Sequence, residues 1–137
     1  MISMTPESLH QAFLNTRYIV HLEPDVTLRN YDKSTDLLTR LPHLTSWAFI
    51  TAWNPLPEIL TMAKNFARNG LLRARLEEGK YIVHEGTGIS ADGIWAEAFF
   101  LIENITLAEA HTIAKDFGQL AFVYGGREKG NELVYIE

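Results

Sequence analysis

The apolar positions of this chain are densest at residues 46–53, a nearly unbroken hydrophobic run that stops at Asn54. A strand that is apolar on both sides lies in the middle of a sheet, where both of its faces are covered. Because alternate side chains of a strand face opposite ways, a bulky set that includes Trp47 separates from a slimmer set that includes Ala48. The pattern therefore predicts a central strand with two unequal faces.

Helix and strand signals alternate on both sides of this run. An N-terminal helix is predicted to begin with Thr5 as its N-cap, and one short strand follows at residues 18–23. After the central strand, the pattern predicts a long helix at 55–78, strands at 81–85 and 94–102 joined by a glycine-rich hairpin, a helix with a capping box at Thr106, and strands at 119–124 and 131–136. This order predicts an α+β, ferredoxin-like split βαβ sheet: a β-α-β-β-α-β core plus a C-terminal strand, with helices on one face.

The predicted topology sets the first and third core strands side by side and antiparallel. On one face both strands carry small residues that let helices approach closely: Ala48, Ala52, Ala96 and Ala98. The long helix is expected to bury an apolar stripe made of Ile59, Ala63, Phe66 and Ala67. The opposite sheet face would then hold all three tryptophans, Trp47, Trp53 and Trp95. An aromatic patch of this size needs a cover, and the alternatives are the N-terminal helix, the loop before residue 46 and a second subunit.

One rim of this sheet gathers the residues that we expect to form a ligand site: Trp53, Asn54, Trp95, Glu97 and Gln119. The amino end of the long helix lies at the same rim, and its free amides favour an anion. A small-molecule ligand is therefore expected here, with an anionic one as an option. Asn69 lies about 20 Å further along the helix at 1.5 Å per residue, so it is expected outside this cluster.

Four short motifs stand out within the core. They are A-F-I-T-A-x-N-P at residues 48–55, N-x-x-R-N-x-x-L at 65–72, G-x-G…D-G-x-W-x-E at 86–97 and F-G-Q at 117–119. In combination they resemble an uncharacterised bacterial family of small proteins of unknown function, over residues 46–125. Ala98 and Leu120 depart from the serine and asparagine of that family, which argues against hydroxyl- or amide-dependent chemistry there. The resemblance implies no particular activity.

Glu97 is the most suggestive single residue. A carboxyl flanked by Trp95 and Phe99 would have a raised pKa if it were desolvated, which is how a general acid or base is made. The alternative is a carboxylate at the edge of a pocket that is paired with an arginine or a tryptophan N–H. His84, on the neighbouring strand, and Asp92, which is first of all a turn residue, are weaker candidates to assist Glu97 in catalysis.

The sequence leaves two roles open for each of the amide and guanidinium side chains near the central strand. Asn54 is either the N-cap of the long helix or a ligand contact. Asn65, Arg68 and Asn69 share one flank of the helix, because they are spaced at i, i+3 and i+4. They either bind a carboxylate or phosphate, or form hydrogen bonds with a neighbouring loop.

Composition narrows the classes of function. At 137 residues the chain is predicted to be one domain, with residues 1–45 decorating a core at 46–137. The chain has no cysteine and no histidine spacing typical of a metal site, so neither a metal nor a cofactor is expected. A formal charge of −5 argues against nucleic-acid and anionic-membrane binding. No signal peptide or membrane span is predicted, and the expected location is the cytoplasm.

Three hypotheses of function follow from these residues. The first is a small ligand-binding domain with its pocket at the rim. The second is a protein-interaction or homo-oligomerisation module, in which another chain, for example in a homodimer, covers the tryptophan-rich face. The third is an enzyme in which Glu97 acts as general acid or base.

Overall fold

A computed structural model describes residues 6–55 and 58–136 of the chain. Its helices and strands, in chain order, are α1 (Pro6–Leu14), β1 (Arg17–Val20), β2 (Val26–Arg29), α2 (Thr35–Arg40), β3 (Ser46–Ile50), α3 (Met62–Glu78), β4 (Val83–Ile89), β5 (Ala96–Glu103), α4 (Leu107–Asp116), β6 (Ala121–Gly126) and β7 (Gly130–Tyr135). The α+β class predicted from the sequence is confirmed. The predicted N-cap at Thr5 lies outside the described residues.

All seven strands form one antiparallel sheet in the order β2-β1-β4-β5-β3-β6-β7. The predicted pairing of the first and third core strands is confirmed, because β3 lies antiparallel to β5 with Trp47 opposite Glu103. The sheet is larger than predicted: seven strands are ordered side by side, where a four-stranded core with one C-terminal strand and one N-terminal strand was predicted. The N-terminal region supplies a hairpin, β1 and β2, where one strand was expected, and this hairpin extends the sheet beyond β4.

The sheet is curled so that its two edges are bridged by Asn131 of β7. The Asn131 Nδ2 donates to the Arg29 carbonyl in β2 at 3.0 Å and to the Ser34 hydroxyl at 2.7 Å. Its Oδ1 accepts from the Trp47 indole N–H at 2.8 Å. Asn131 is 1% exposed, so these bonds satisfy a buried amide and close the sheet around one of its two faces.

Two hydrophobic layers cover the two faces of the sheet. The first, which we call the helix layer, packs alanines of β3 and of the residues just after it against α3 and α4. Its members include Ala48, Ala52, Leu72, Leu76, Ala110, Ile113 and Ala114. The second, which we call the inner layer, lies within the curl and includes Tyr18, Val20, Leu37, Leu44, Trp47, Phe49 and Leu101. The predicted helix-facing positions of Ala48 and Ala52 are therefore confirmed, whereas on β5 Ala96 is exposed and Ala98 only partly buried.

The three tryptophans do not share one open face. Trp47 is fully buried in the inner layer, where side chains from residues 18–44 of the same chain cover it. Trp53 follows the end of β3 and packs edge-to-face on Phe66 of α3, with ring centroids 5.0 Å apart. Trp95 lies in the β4–β5 hairpin and is 49% exposed. The prediction that all three tryptophans share one sheet face is therefore wrong. Of the three covers considered for that face, the chain's own segment before residue 46 is the one that covers Trp47, so the alternative of a second subunit on a tryptophan-rich face is not supported.

Helix α3 differs from its prediction in where it begins and in which side it buries. It begins at Met62, with Thr61 as N-cap, and not at residue 55. Asn54 is not the cap; its backbone adopts a positive φ of 42° and leads into a loop. The buried positions of α3 are Asn65, Asn69, Leu72 and Leu76. The expected buried stripe, represented by Ile59 at 65% and Phe66 at 56% exposure, faces outwards.

Substitution of Gly125 by alanine tests the close approach of β6 to the indole of Trp47. A Cβ at Gly125 would lie 2.2 Å from the ring atoms Nε1 and Cε2, and the indole is buried and held by Asn131. We expect Gly125→Ala to lower the free energy of unfolding by about 2 kcal/mol, the middle of the range for overpacking a core. Urea denaturation measures this. Gly126→Ala is the matched control, since its Cβ would meet nothing nearer than 3.9 Å; an equal loss in both variants would contradict the prediction.

Candidate functional site

The end of β3 is held by the side chain of Asn69. Its Oδ1 accepts from the Ala52 amide at 2.8 Å and from the Thr51 hydroxyl at 3.3 Å, and its Nδ2 donates to the Ala98 carbonyl at 2.9 Å. Asn69 is 4% exposed. One amide therefore joins α3 to both central strands at the point where β3 stops.

Asn54 and Asn65 form a reciprocal pair one step further along. The backbone amide of Asn54 donates to Asn65 Oδ1, and the side-chain Nδ2 of Asn65 donates to Asn54 Oδ1, each at 2.8 Å. Asn54 Oδ1 also accepts from the Leu60 amide at 2.9 Å. These bonds tie Asn54, just beyond β3, and Leu60, just before α3, to the first turn of the helix.

Arg68 and Gln119 extend this network to the end of α4. The Arg68 guanidinium donates to the Ala52 carbonyl at 2.7 Å and to the Phe117 carbonyl at 2.5 Å. Gln119 Nε2 donates to the Trp53 carbonyl at 3.2 Å and to the Phe117 carbonyl at 3.3 Å. We call the whole set the polar clamp: Asn54, Asn65, Arg68, Asn69 and Gln119.

The polar clamp decides between the two readings of Asn65, Arg68 and Asn69. Hydrogen bonding to a neighbouring loop is confirmed, because their polar atoms bond to backbone groups and to Asn54. The expectation that Asn69 lies outside the rim cluster is wrong, since α3 begins later than predicted and Asn69 therefore reaches the end of β3. The departure at Ala98 is harmless to this network, because the clamp uses only its backbone carbonyl.

Glu97 lies on the inner face of the sheet, in a row with Gly88 of β4 and Tyr18 of β1. It is partly buried, and none of the described residues donates a hydrogen bond to its carboxyl. Desolvation by burial raises the pKa of Glu97 to about 7. The pKa of Tyr18 is raised to about 12, chiefly by burial, and the negative charge of Glu97 adds to this shift.

The aromatic rings of the inner layer explain why Glu97 is desolvated. The rings of Tyr18, Phe49 and Phe99 lie 5.0–5.6 Å apart, centroid to centroid. They fit over β4 because Gly86 and Gly88 have no side chain: a Cβ at Gly88 would lie 2.6 Å from the Phe99 ring. These two glycines were expected in the turn, but they belong to β4. In this hairpin only Gly93, with a φ of 77°, has a positive φ.

Asp92 holds the β4–β5 turn together and does not reach Glu97 through a hydrogen bond. Its Oδ1 accepts from the Ser90 hydroxyl at 2.6 Å and from the Ile94 amide at 3.0 Å. These bonds, the Ser90 hydroxyl first, lower the pKa of Asp92. Trp95 projects from the same turn. Asp92 is therefore a structural turn residue, as the sequence first indicated.

Most of the residues described above lie in a segment that matches one protein family. The family described as protein of unknown function (DUF3293) matches residues 50–122, more than half of the chain. The chain belongs to this family. The match runs from the end of β3 into β6, so it contains the polar clamp, the β4–β5 hairpin and Glu97. No curated protein and no solved structure matches the chain.

His84 of this DUF3293 protein pairs with Glu103 and not with Glu97. Its Nε2 lies 2.6 Å from Glu103 Oε2, and the Nε2 of His43 lies 2.6 Å from Glu103 Oε1. The register places His84 opposite Leu101, four positions along β5 from Glu97. The predicted assistance of Glu97 by His84 therefore has no geometric support.

The cluster of His43, His84 and Glu103 could not be found from the sequence. The three residues come from the α2–β3 loop, β4 and the end of β5, and no spacing signal joins them. The Glu103 side chain is only 3% exposed, and each of its oxygens lies within hydrogen-bond distance of one imidazole nitrogen. The cluster ties the loop before β3 to the sheet. Within residues 6–55 and 58–136, no group of three or more His, Cys, Asp or Glu side chains has a geometry that holds a metal ion.

Two cavities of this DUF3293 protein lie away from the predicted rim. One, of about 300 Å³, is bordered by Arg127, Lys129 and neighbours in the β6–β7 hairpin. The other, of about 370 Å³, lies between the end of α3 and the start of α4, beside Tyr81 and Glu109. Both are shallow and open, and neither contains a buried charged group without a partner. Glu97 remains the carboxyl in this fold whose burial most needs an explanation.

No helix in the described part of the chain combines the length and the apolar character that crossing a bilayer requires.

Proposed function

We propose that this protein is a small ligand-binding domain whose site is built around Glu97, with Trp95 beside it. The observation that carries the proposal is the carboxyl of Glu97, which is partly buried against aromatic rings and has no hydrogen-bond donor among the described residues. Burial of a carboxyl without a partner is costly. Groups of this kind are concentrated at functional sites, where a ligand supplies the missing partner.

The chemistry of the site favours a ligand that donates hydrogen bonds to Glu97. An amine or amide would satisfy the carboxyl, and the exposed indole of Trp95 offers a flat surface for an apolar or cationic portion. An anionic ligand loses its support, because the start of α3 is displaced to Met62 and is capped by the Thr61 hydroxyl. Of the other predicted site residues, Asn54 and Gln119 act as supports, since their side chains bond within the polar clamp.

An enzymatic role for Glu97 is the second candidate. A carboxyl with a pKa of about 7 exchanges protons readily at neutral pH, as a general acid or base must. Neither Asp92 nor His84 forms a hydrogen bond with Glu97. An enzymatic role therefore requires that the substrate supply the other groups that take part in the reaction. Binding is therefore the simpler function for the same geometry.

We also propose that residues 46–126 form a ferredoxin-like core within the larger sheet. The order β4-β5-β3-β6, the antiparallel pairing and the position of α3 and α4 over one face support this assignment. The cytoplasm of a bacterium is the proposed location, which agrees with the absence of cysteine and with the family resemblance.

A thermal-shift screen with small amines and amides tests the binding proposal. A ligand at about 100 times its Kd adds about 2.7 kcal/mol to the free energy of unfolding, which raises Tm by several degrees. We expect such a shift in the native protein and in Glu128→Gln, a control at an exposed position, and its loss in Glu97→Gln. If no compound stabilises the protein, or if Glu97→Gln responds as the native protein does, the proposal fails.

A further inference from the structure

Helix α3 presents an apolar side to solvent. We call this side the α3 face; it comprises Ala63, Phe66, Ala67, Gly70 and Leu71, all of which are exposed. Phe66 is 56% exposed and Leu71 is 66% exposed. At about 100° per residue, these positions lie on the flank and the far side of the helix relative to the buried Asn65 and Asn69.

The amphipathic pattern of α3 is thus inverted over its first turns. A helix on the surface of a globular protein normally turns its apolar residues towards the core. Here the polar clamp draws two asparagines inwards, and the apolar residues are left outside as a continuous surface. Single exposed apolar side chains are ordinary, but a contiguous set is typical of an interface.

Gly70 gives a second and independent indication. It lies in the middle of α3, and a Cβ built on it would meet nothing within 4 Å. Glycine within a helix costs about 0.5–1 kcal/mol relative to alanine, so nothing in the single chain accounts for it. A second helix packed on this side would account for the glycine. The distance between two helix axes is set by the side chains at the contact, and a glycine there lets the helices approach closely.

We propose that the α3 face is a homodimer interface, in which α3 packs antiparallel on α3 of a second copy about a two-fold axis near Gly70 and Leu71. This arrangement sets Ala67 opposite Ala74 of the second copy, so small residues face one another on both sides of the axis. A two-fold interface uses the same surface twice, and the exposed small residues Ala63, Ala67, Gly70 and Ala74 would form its centre, with Phe66 and Glu77 along one border. The inference does not depend on a ligand at Glu97.

The charges that border the α3 face select the antiparallel orientation. Lys64 and Glu78 lie at opposite ends of α3 and about 40° apart around the helix at about 100° per residue, so they border the same edge. An antiparallel pair brings Lys64 of each copy to Glu78 of the other. A parallel pair would keep Lys64 and Glu78 at opposite ends of the interface, about 20 Å apart at 1.5 Å per residue, so it would not pair these charges.

Sedimentation velocity of the full chain over a wide range of concentrations tests the interface. We expect a dimer for the native protein, and at least about a tenfold weaker association for Leu71→Arg and for Gly70→Gln. Gly70→Gln is the sharper variant, because the single chain has room for the side chain and its far-ultraviolet circular dichroism should be retained. Leu107→Arg, at a 47% exposed leucine of α4, is the control that must remain dimeric.

Charge reversal tests the orientation. Lys64→Glu and Glu78→Lys are each expected to weaken the dimer about 3- to 10-fold, because each variant places two like-charged pairs at the interface. The double variant restores opposite charges and should restore the native dissociation constant. A native protein that is monomeric at every concentration, a dimer that is indifferent to Leu71→Arg and Gly70→Gln, or losses that add in the double variant would each overturn the proposal.

Discussion

Replacement of Asn69 by leucine is expected to lower the free energy of unfolding by about 3 kcal/mol. Leucine has a similar volume, but it leaves the Ala52 amide buried without an acceptor and removes a donor to the Ala98 carbonyl. An unsatisfied buried polar group costs about 1–3 kcal/mol, and each further lost hydrogen bond about 1 kcal/mol. Urea denaturation, followed through tryptophan fluorescence, measures this loss.

Asn15→Leu is the control for this prediction. Asn15 is exposed just beyond α1, and a surface change of this kind is expected to alter the free energy of unfolding by less than about 0.5 kcal/mol. Asn69→Asp is the informative second variant. It keeps an acceptor for the Ala52 amide but replaces the donor to Ala98 by an oxygen, so it should also destabilise. Equal stability of Asn69→Leu and Asn15→Leu would show that the polar clamp contributes no net stability.

The elements of the core could be predicted because their signals are local. The run at 46–53 marks a central strand, and the capping box at Thr106 marks the start of a helix; in the structure the Thr106 hydroxyl accepts from the Glu109 amide at 3.1 Å. Once the order of elements is known, chain connectivity restricts the neighbours of each strand, so the pairing of β3 with β5 follows as well.

The orientation of α3 could not be predicted from hydrophobic periodicity. The apolar spacing of Phe66 and its neighbours favours burial, yet the backbone at the end of β3 has amides and carbonyls that need partners away from water. Asn65 and Asn69 supply those partners, and one side of a helix cannot carry both sets inwards. Polar satisfaction therefore decides the rotation of the helix, and a periodicity argument does not include it.

The surroundings of Glu97 could be predicted only in part. The flanking Trp95 and Phe99 correctly indicate a desolvated carboxyl. Tyr18 comes from an N-terminal strand whose place in the sheet the sequence left open, and Gly88 was expected in the hairpin turn, yet both lie in the same row as Glu97. The link between Trp47 and Asn131 is equally non-local, since it joins positions far apart in the chain.

Glu97→Gln is expected to stabilise the protein at alkaline pH by about 2–3 kcal/mol. The carboxyl has an ordinary pKa of 4.5 when unfolded and about 7 when folded. Below the first value both states are protonated, and Glu97 adds no dependence on pH. Between the two values the unfolded chain releases its proton before the folded protein does, so the native protein loses stability as pH rises. The loss is complete above about pH 7. The difference between the folded and unfolded pKa values then corresponds to about 3 kcal/mol of unfolding free energy. Glutamine is neutral throughout and removes this loss.

Urea denaturation of the native protein and the variant at about pH 4.5 and about pH 8 measures the difference. The two proteins should have similar stability at the lower pH and diverge at the higher one, whereas Glu128→Gln, at an exposed carboxyl, should follow the native protein at both. Parallel stability curves for the native protein and Glu97→Gln would contradict the prediction.

A residue whose removal stabilises the fold is kept for another reason, and trade-offs of this kind are typical of functional sites. If Glu97→Gln is both more stable at pH 8 and unable to respond to the amine or amide that stabilises the native protein, the cost of burying this carboxyl is explained by the ligand that it binds.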